Sequence, residues 1–279
     1  MDATTRSVEL RSIAQDVADA LPATAEEVVL TGSVSRGVAD DVSDIEMLVV
    51  TGDEPDLEEC FSLAAAAGLR DLGTWGQQGV PTKRVSGYRD GAPLELVWWS
   101  RAHAESAVDA IFEGDSSTTA DALAHGVALR TSGLLERWQE RLRDYPQALA
   151  RARIEDAALT WGGFAAAGLL TIVRPGERLA LLERMVDDAL RVLRIVFALN
   201  RVWQPTTKRL ADRVATLAQR PDRLAERIEE ALTEPEPRRA VLVLTELQAD
   251  TVALAPDGPN IDRARLWLSE AREILARSR

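Results

Sequence analysis

The chain is short of the residues that make staples and metal cages. It has one cysteine, Cys60, so no intramolecular disulfide can form, and it suits a reducing compartment. Its two histidines, His103 and His125, stand apart from each other and from any cysteine at ligand spacing, which argues against a zinc site. No stretch approaches the roughly 20 uncharged residues that span a bilayer. Residues 1–15 mix charges with apolar residues and lack the apolar block of a secretory leader. The expectation is a soluble cytoplasmic protein with no membrane partner. Basic excess is also missing. The net charge is -12, which disfavours a long nucleic-acid duplex as ligand without excluding a local basic patch. There is no internal repeat, no low-complexity tract and no Gly/Ser-rich spacer. What is present is 46% hydrophobic and 28% charged residues, the balance of a globular protein able to bury a core unaided.

Periodicity divides the chain. Residues 8–21 carry apolar side chains at helical spacing. Residues 27–30 and 45–50 are short strand-like runs, the first ending at Thr31-Gly32-Ser33, and residues 57–69 read as an alanine-rich helix. Residues 74–81 hold three closely spaced turn formers, Gly76, Gly79 and Pro81, and read as a loop. Two extended runs, 83–89 and 93–99, flank Asp90-Gly91-Ala92, the pattern of a β-hairpin. Strand-like sequence ends there, and everything past residue 101 reads as helix. The longest segment, 179–199, places Leu179, Leu182, Val186, Leu190, Leu193 and Phe197 on one expected apolar stripe, with Glu183, Asp187 and Asp188 on a wet face. The fold class is therefore α+β: an N-terminal mixed-sheet half followed by an all-α bundle. The break lies between Ser100 and Arg151 and is taken as 1–115 and 116–279.

The chemistry concentrates in Gly32-Ser33-Val34-Ser35-Arg36-Gly37 and Asp44-Ile45-Glu46-Met47. Strand alternation puts Asp44 and Glu46 on one face and Ile45 and Met47 on the other. Two carboxylates side by side repel, a cost that divalent cations between them would offset. Gly32 lets backbone N–H groups approach a phosphate, and Ser33 can donate to the same group. A helix starting near Val34 would add its dipole, and Arg36 can pair with a phosphate oxygen or with leaving pyrophosphate. The plainer alternative for Asp44 and Glu46 is a solvent-facing strand, and for Arg36 a surface turn.

These residues resemble the nucleotidyltransferase superfamily of polymerase-β-like and antibiotic-modifying enzymes. Its core motif is an apolar residue and Gly-Ser, a gap of about ten residues, then Asp-apolar-Asp/Glu-apolar. Here Leu30-Thr31-Gly32-Ser33 is followed by ten residues and then Asp44-Ile45-Glu46-Met47. The Arg36-Gly37 and Ser43-Asp44 pairs also match small bacterial members, which adds Ser43 to the nucleotide-binding set. The second motif acid is Glu46 where Asp is commoner. The resemblance spans only about twenty residues. It implies a third carboxylate on a later strand, and Glu95 in Pro93-Leu94-Glu95-Leu96-Val97 is the candidate metal ligand or general base. Trp99 shares the Glu95 face and reads as core filling or as a stacking platform.

Many members of that superfamily follow the core with a helical domain that closes the cleft. The run Leu199-Asn200-Arg201, then Gln204-Pro205-Thr206-Thr207-Lys208, looks like the helix end of such members. On that likeness Asn200, Arg201 and Lys208 join the nucleotide-binding set, with a solvated helix terminus as the alternative. The resemblance implies transfer of a nucleoside monophosphate from an NTP, with pyrophosphate released. Asp44, Glu46 and Glu95 would be the catalytic and metal-binding residues, and Mg²⁺, two ions, the cofactor. ATP is the favoured donor, and a small hydroxylated acceptor such as an aminoglycoside-like antibiotic is favoured over nucleic acid. The rival expectations are a toxin-like enzyme acting on tRNA or protein, and a non-catalytic nucleotide-binding antitoxin or regulator. The sequence leaves the oligomeric state open.

Overall fold

The structure, a computed structural model, describes residues 3–75, 81–114, 117–162, 169 and 171–277. It divides into two compact units, Met1–Asp144 and Tyr145–Arg279. The fold is α+β, with every described strand in the first unit.

The first unit opens with α1 (Thr5–Ala20), capped by Thr4, whose side chain accepts from the Ser7 N–H. It continues through β1 (Ala25–Thr31), the single turn α2 (Gly32–Ser35), β2 (Ile45–Thr51), α3 (Leu57–Ala66), β3 (Arg70–Gly73), β4 (Lys83–Arg89) and β5 (Ala92–Ser100). Then come α4 (Arg101–Glu113), α5 (Ser117–Ala124), β6 (Val127–Arg130) and α6 (Leu134–Arg143). The strands form one sheet in the order β3-β4-β5-β2-β1-β6. β2 and β5 run parallel, and the other neighbours are antiparallel.

Alternation divides the sheet into two faces. Val28, Leu30, Ile45, Met47, Val85, Leu94, Leu96 and Trp98 belong to one buried core with Leu10, Ala14 and Val17 of α1 and Cys60 and Ala64 of α3. Trp98 is completely buried, so the core member of the Trp98/Trp99 pair is Trp98. On β5 the residues of the opposite face, Pro93, Glu95, Val97 and Trp99, are less buried than Leu94, Leu96 and Trp98. The hairpin around Asp90-Gly91 forms as the sequence indicates, with Lys83 paired to Trp98 and Arg89 to Ala92.

Two strands depart from the sequence reading. β3 lies at 70–73, between the helix expected to run to residue 69 and the loop expected from residue 74, in a stretch the sequence left unassigned. β6 lies in the stretch read as all helix, and on the far side of the expected 115/116 break. A run of four residues is too short to show a period of its own, so tertiary pairing decides its state. β6 pairs with β1 through Val28 and Arg130, Val29 and Ala128, and Leu30 and Val127. Arg130 fastens it: its guanidinium donates to the carbonyls of Ala18, Leu21, Pro22 and Ala25 at 2.5–3.1 Å. Glu27 of β1, fully buried, holds the start of α6 by accepting from the Ser132 and Leu134 N–H groups at 2.7 and 3.1 Å. The expected loop 74–81 falls largely on residues 76–80, which lie outside the described residues.

The second unit is helical among its described residues. It contains α7 (Gln147–Ala158), the 3₁₀ turn Leu159–Gly162, α8 (Arg178–Leu199), α9 (Leu210–Ala215), α10 (Leu224–Thr233), α11 (Pro237–Leu254) and α12 (Pro259–Arg277). Its core is separate from that of the first unit and is centred on α8, with Trp161, Met185, Val192, Ile195, Val196, Phe197, Leu244, Leu247 and Leu268. Here the expected stripe needs correcting. Leu193 and Phe197 are buried, but Leu179, Val186 and Leu190 are 82%, 45% and 37% exposed. The buried line is instead Leu181, Met185, Asp188, Ala189, Val192, Ile195 and Val196. α8 is apolar around much of its circumference, so two lines at helical spacing compete, and packing chooses between them. Asp188, expected on the wet face with Glu183 and Asp187, is buried. It accepts from Trp161 Nε1 at 2.9 Å and from Arg184 Nε at 2.7 Å.

No described helix is long and apolar enough to cross a membrane.

Candidate functional site

The site is built on the less buried face of the first unit's sheet, where the chain leaves β1 and enters β2. Gly32 follows the last residue of β1 with φ +71°, a region that costs a residue with a side chain. A Cβ at Gly32 would collide with Oε2 of Glu46. The glycine thus gives both the turn and the room for a carboxylate to lie against its backbone. The turn is braced locally: Ser35 Oγ donates to the Gly32 carbonyl at 3.1 Å, and the Val38 N–H to that of Ser33 at 3.0 Å. Beyond it, Ala39 is tied to α1, its N–H donating to Ser7 Oγ at 2.9 Å and its carbonyl accepting from Thr4 Oγ1 at 2.8 Å. α2 is one turn of four residues, so the helix dipole expected near Val34 is small.

Register aligns the acidic residues. Thr31 of β1 lies opposite Glu46 of β2, Glu46 beside Glu95 of β5, and Glu95 opposite Ser86 of β4. This row crosses four strands, and neighbouring strands lie about 4.8 Å apart. Asp44 precedes Glu46 by two residues, immediately before β2. Asp44, Glu46 and Glu95 are all half-buried.

Among the described residues, no group of three or more His, Cys, Asp or Glu is placed to hold a metal ion. The reason lies in the acids' partners. Glu46 lies against Gly32. Glu95 is influenced by the Trp75 indole N–H and by the Arg84 guanidinium, both of which favour its charged form. Arg84 itself sits 4.2 Å from the centre of the Trp75 ring. Burial pushes the Glu95 carboxyl above the ordinary glutamate range, Arg84 and Trp75 pull it back, and the Asp44 charge raises it further. Its Oε1 is buried with no hydrogen-bond partner among the described residues. Mg²⁺ uses one or two carboxylates and fills its shell with water and phosphate. Two acids in register on adjacent strands, one with an unpaired buried oxygen, fit that demand; a preformed three-carboxylate cage is not what stands here.

The other expected site residues take different places. Ser33 lies in the turn with Gly32. Arg36 forms an ion pair with Asp121 of α5, a carboxylate that is 3% exposed and also lies 3.3 Å from His125 Nδ1. A phosphate would have to compete with that buried charge. Ser43 closes its own loop: its hydroxyl donates to Asp40 Oδ1 at 2.8 Å and accepts from the Asp40 N–H at 2.9 Å.

Asn200, Arg201 and Lys208 belong to the second unit. The Asn200 amide is spent on the fold, donating to Val196 O at 2.8 Å and Gln219 O at 2.7 Å while accepting from the Gln219 N–H at 2.9 Å. Arg201 and Lys208 are exposed. Trp75 and Arg84, which adjoin Glu95, had no sequence motif to mark them; only the pairing of β4 with β5 brings Arg84 to this face. Trp99 shares that face and meets His103 edge-on at 5.3 Å between ring centres. The Cys60 thiol is fully buried, and burial pushes its pKa up to about 12, which removes it as a nucleophile.

No family model matches the chain, and no curated protein matches it. Among solved structures it is similar to a nucleotidyltransferase-like protein from Exiguobacterium sibiricum 255-15. The two are 15% identical over 97% of this chain and 74% of that one, with a TM-score of 0.30. At that score the likeness is a bare observation, and the site residues carry the functional reading.

Proposed function

We propose that the first unit is a metal-dependent nucleotidyltransferase. It would move a nucleoside monophosphate, AMP from ATP in the favoured form, onto a hydroxyl of a small acceptor such as an aminoglycoside-like molecule. One observation carries the reading: the Gly32-Ser33 turn opens directly onto Glu46, which stands in register beside Glu95, with Asp44 two residues ahead. A turn that exposes backbone N–H groups next to acidic residues suits a triphosphate bridged by cations.

In this reading Asp44 and Glu46 hold Mg²⁺, with Glu95 as a further ligand or as the base. The metal supplies charge neutralisation at the α-phosphate and at the departing pyrophosphate. Gly32 and Ser33 position the phosphates. The acceptor oxygen bonds to the α-phosphorus, the bond to the α,β-bridging oxygen breaks, and pyrophosphate leaves with that electron pair. The acceptor proton passes to Glu95, whose raised pKa makes it a better base than an ordinary glutamate. Positioning and electrostatics supply the rate, since in-line transfer needs no covalent help from the chain.

The test is pyrophosphate release from α-labelled NTPs with a panel of acceptors that includes aminoglycosides, lincosamides and tRNA. Asp44→Asn should lower Mg²⁺-dependent turnover by about 100-fold or more while leaving the thermal midpoint in place. Unchanged turnover would refute the assignment.

A second reading is a nucleotide binder without catalysis. It is favoured by the lack, among the described residues, of a group of three His, Cys, Asp or Glu placed to hold a metal ion. Normal ATP binding with no pyrophosphate release from any acceptor would select it.

A further inference from the structure

The second unit contains an open cleft of about 710 Å³, within the range of small-molecule sites. Its floor is apolar, with Ile154 of α7, Leu199 at the end of α8, and Leu254 and Pro256 where α11 ends. Arg151, Arg201 and Gln219 line it as well. Asp257 also lines it, but the Asp257 carboxylate is matched by Arg265 at 2.6 Å. Arg151 donates to the Asp257 carbonyl at 3.3 Å, which leaves its charge uncompensated there. The Arg201 guanidinium makes no hydrogen bond or ion pair among the described residues.

Arg201 also occupies an unusual backbone position. α8 ends in a paired cap: the Arg201 N–H donates to Ala198 O and the Val202 N–H to Phe197 O, both at 3.0 Å. The residue between these bonds must be left-handed, and Arg201 has φ +51° where glycine is preferred. Arg209 and Arg223 share the positive φ, but neither lines the cleft. An arginine thus stands, against local backbone preference, in the lining of a largely apolar cleft.

We infer that this cleft binds a small organic anion, its apolar body against Ile154, Leu199 and Leu254 and its carboxylate, sulfonate or phosphate group held by Arg201 and Arg151. An acidic chain of net charge -12 repels anions in general, so capture of one needs local positive charge. Planar guanidinium groups supply it with directed hydrogen bonds. The inference uses no residue of the first unit and stands or falls independently of the transferase reading.

The experiment compares two fluorescent probes of one shape on the full chain: 8-anilinonaphthalene-1-sulfonate and its uncharged counterpart N-phenyl-1-naphthylamine. The wild type should bind the sulfonate at one site and about ten-fold more tightly than the neutral probe. Arg201→Gly and Arg151→Gln should each remove most of that difference and leave the neutral probe unaffected, whereas Leu254→Asp should weaken both. Arg201→Gly should also hold or raise the thermal midpoint, since glycine relieves the left-handed position. Equal affinity for both probes in the wild type, or sulfonate affinity untouched by both arginine substitutions, overturns the inference. Arg151→Gln lies at no special backbone position and decides the matter if Arg201→Gly folds poorly.

Discussion

Glu95 in the sheet unit and Asp188 in the helical unit are both carboxylates that burial pushes above their ordinary range. Their surroundings differ. Each Asp188 oxygen has its own donor, Oδ1 from Trp161 and Oδ2 from Arg184, inside a closed core. Glu95 stands on the sheet face where residues are only half-buried and keeps one oxygen without a hydrogen-bond partner. Glu27 shows that an unpaired oxygen is not enough: its Oε1 is also unpaired, but the residue is fully buried and its Oε2 is committed to α6. A satisfied buried acid organises a fold; an accessible, under-satisfied one is available to a ligand.

The widest gap between the two acids should appear on truncation. Asp188→Ala leaves the Trp161 N–H unpaired in the core and opens a void, and should cost about 3 kcal/mol in urea unfolding. Asp188→Asn gives a cleaner control of sign. Because the folded carboxyl titrates above the ordinary 3.8, its contribution is complete below that value and is lost as pH rises through the raised one. The wild type should therefore lose stability relative to Asp188→Asn from about pH 4 upward, and a difference that grows in the opposite direction would show Arg184 outweighing burial.

Glu95→Gln should behave in the reverse way. Turnover should fall by about 100-fold with unfolding energy within about 0.5 kcal/mol of wild type. Loss of thermal stability with activity intact would make Glu95 a second Asp188. Gly32→Ala should cost about 2 kcal/mol, since the added methyl meets both the positive φ and the Glu46 carboxylate. The same change should weaken NTP binding, measurable by titration of the folded fraction. The smallest effect concerns Arg84. Arg84→Met removes a charge that holds the Glu95 carboxyl down, so the acid limb of kcat/KM should move to higher pH. No movement would separate Arg84 from the base.

Much of the first half was readable because its patterns are local. The gap between Ser33 and Asp44, the Asp-Gly hairpin and the alternation through Glu95 are all written within a few residues of where they act. β3 and β6 were not, because runs of four residues acquire strand character only from a neighbour. Trp75 and Arg84 gain meaning only from the pairing of β4 with β5. Arg36 and Ser43 carry the right chemistry for phosphate, but Asp121 and Asp40 engage them, and no spacing rule indicates that. In the helical half the helices were legible and their buried faces were not, since α8 offers two apolar lines. Asp188 was misplaced for the same reason: choosing the wrong line put the wrong side chains in water.

Arg130 gives the first unit a distinctive order of assembly. The four carbonyls it gathers lie between Ala18 and Ala25, more than a hundred residues earlier in the chain. As a ribosome releases the chain, α1 and β1 emerge long before the clasp that fastens them. Until then β1 has one flank unpaired, and such a strand recruits whatever extended segment comes near. The closing of the sheet thus waits until every other strand has been made, and any fragment that stops short of β6 inherits an adhesive edge.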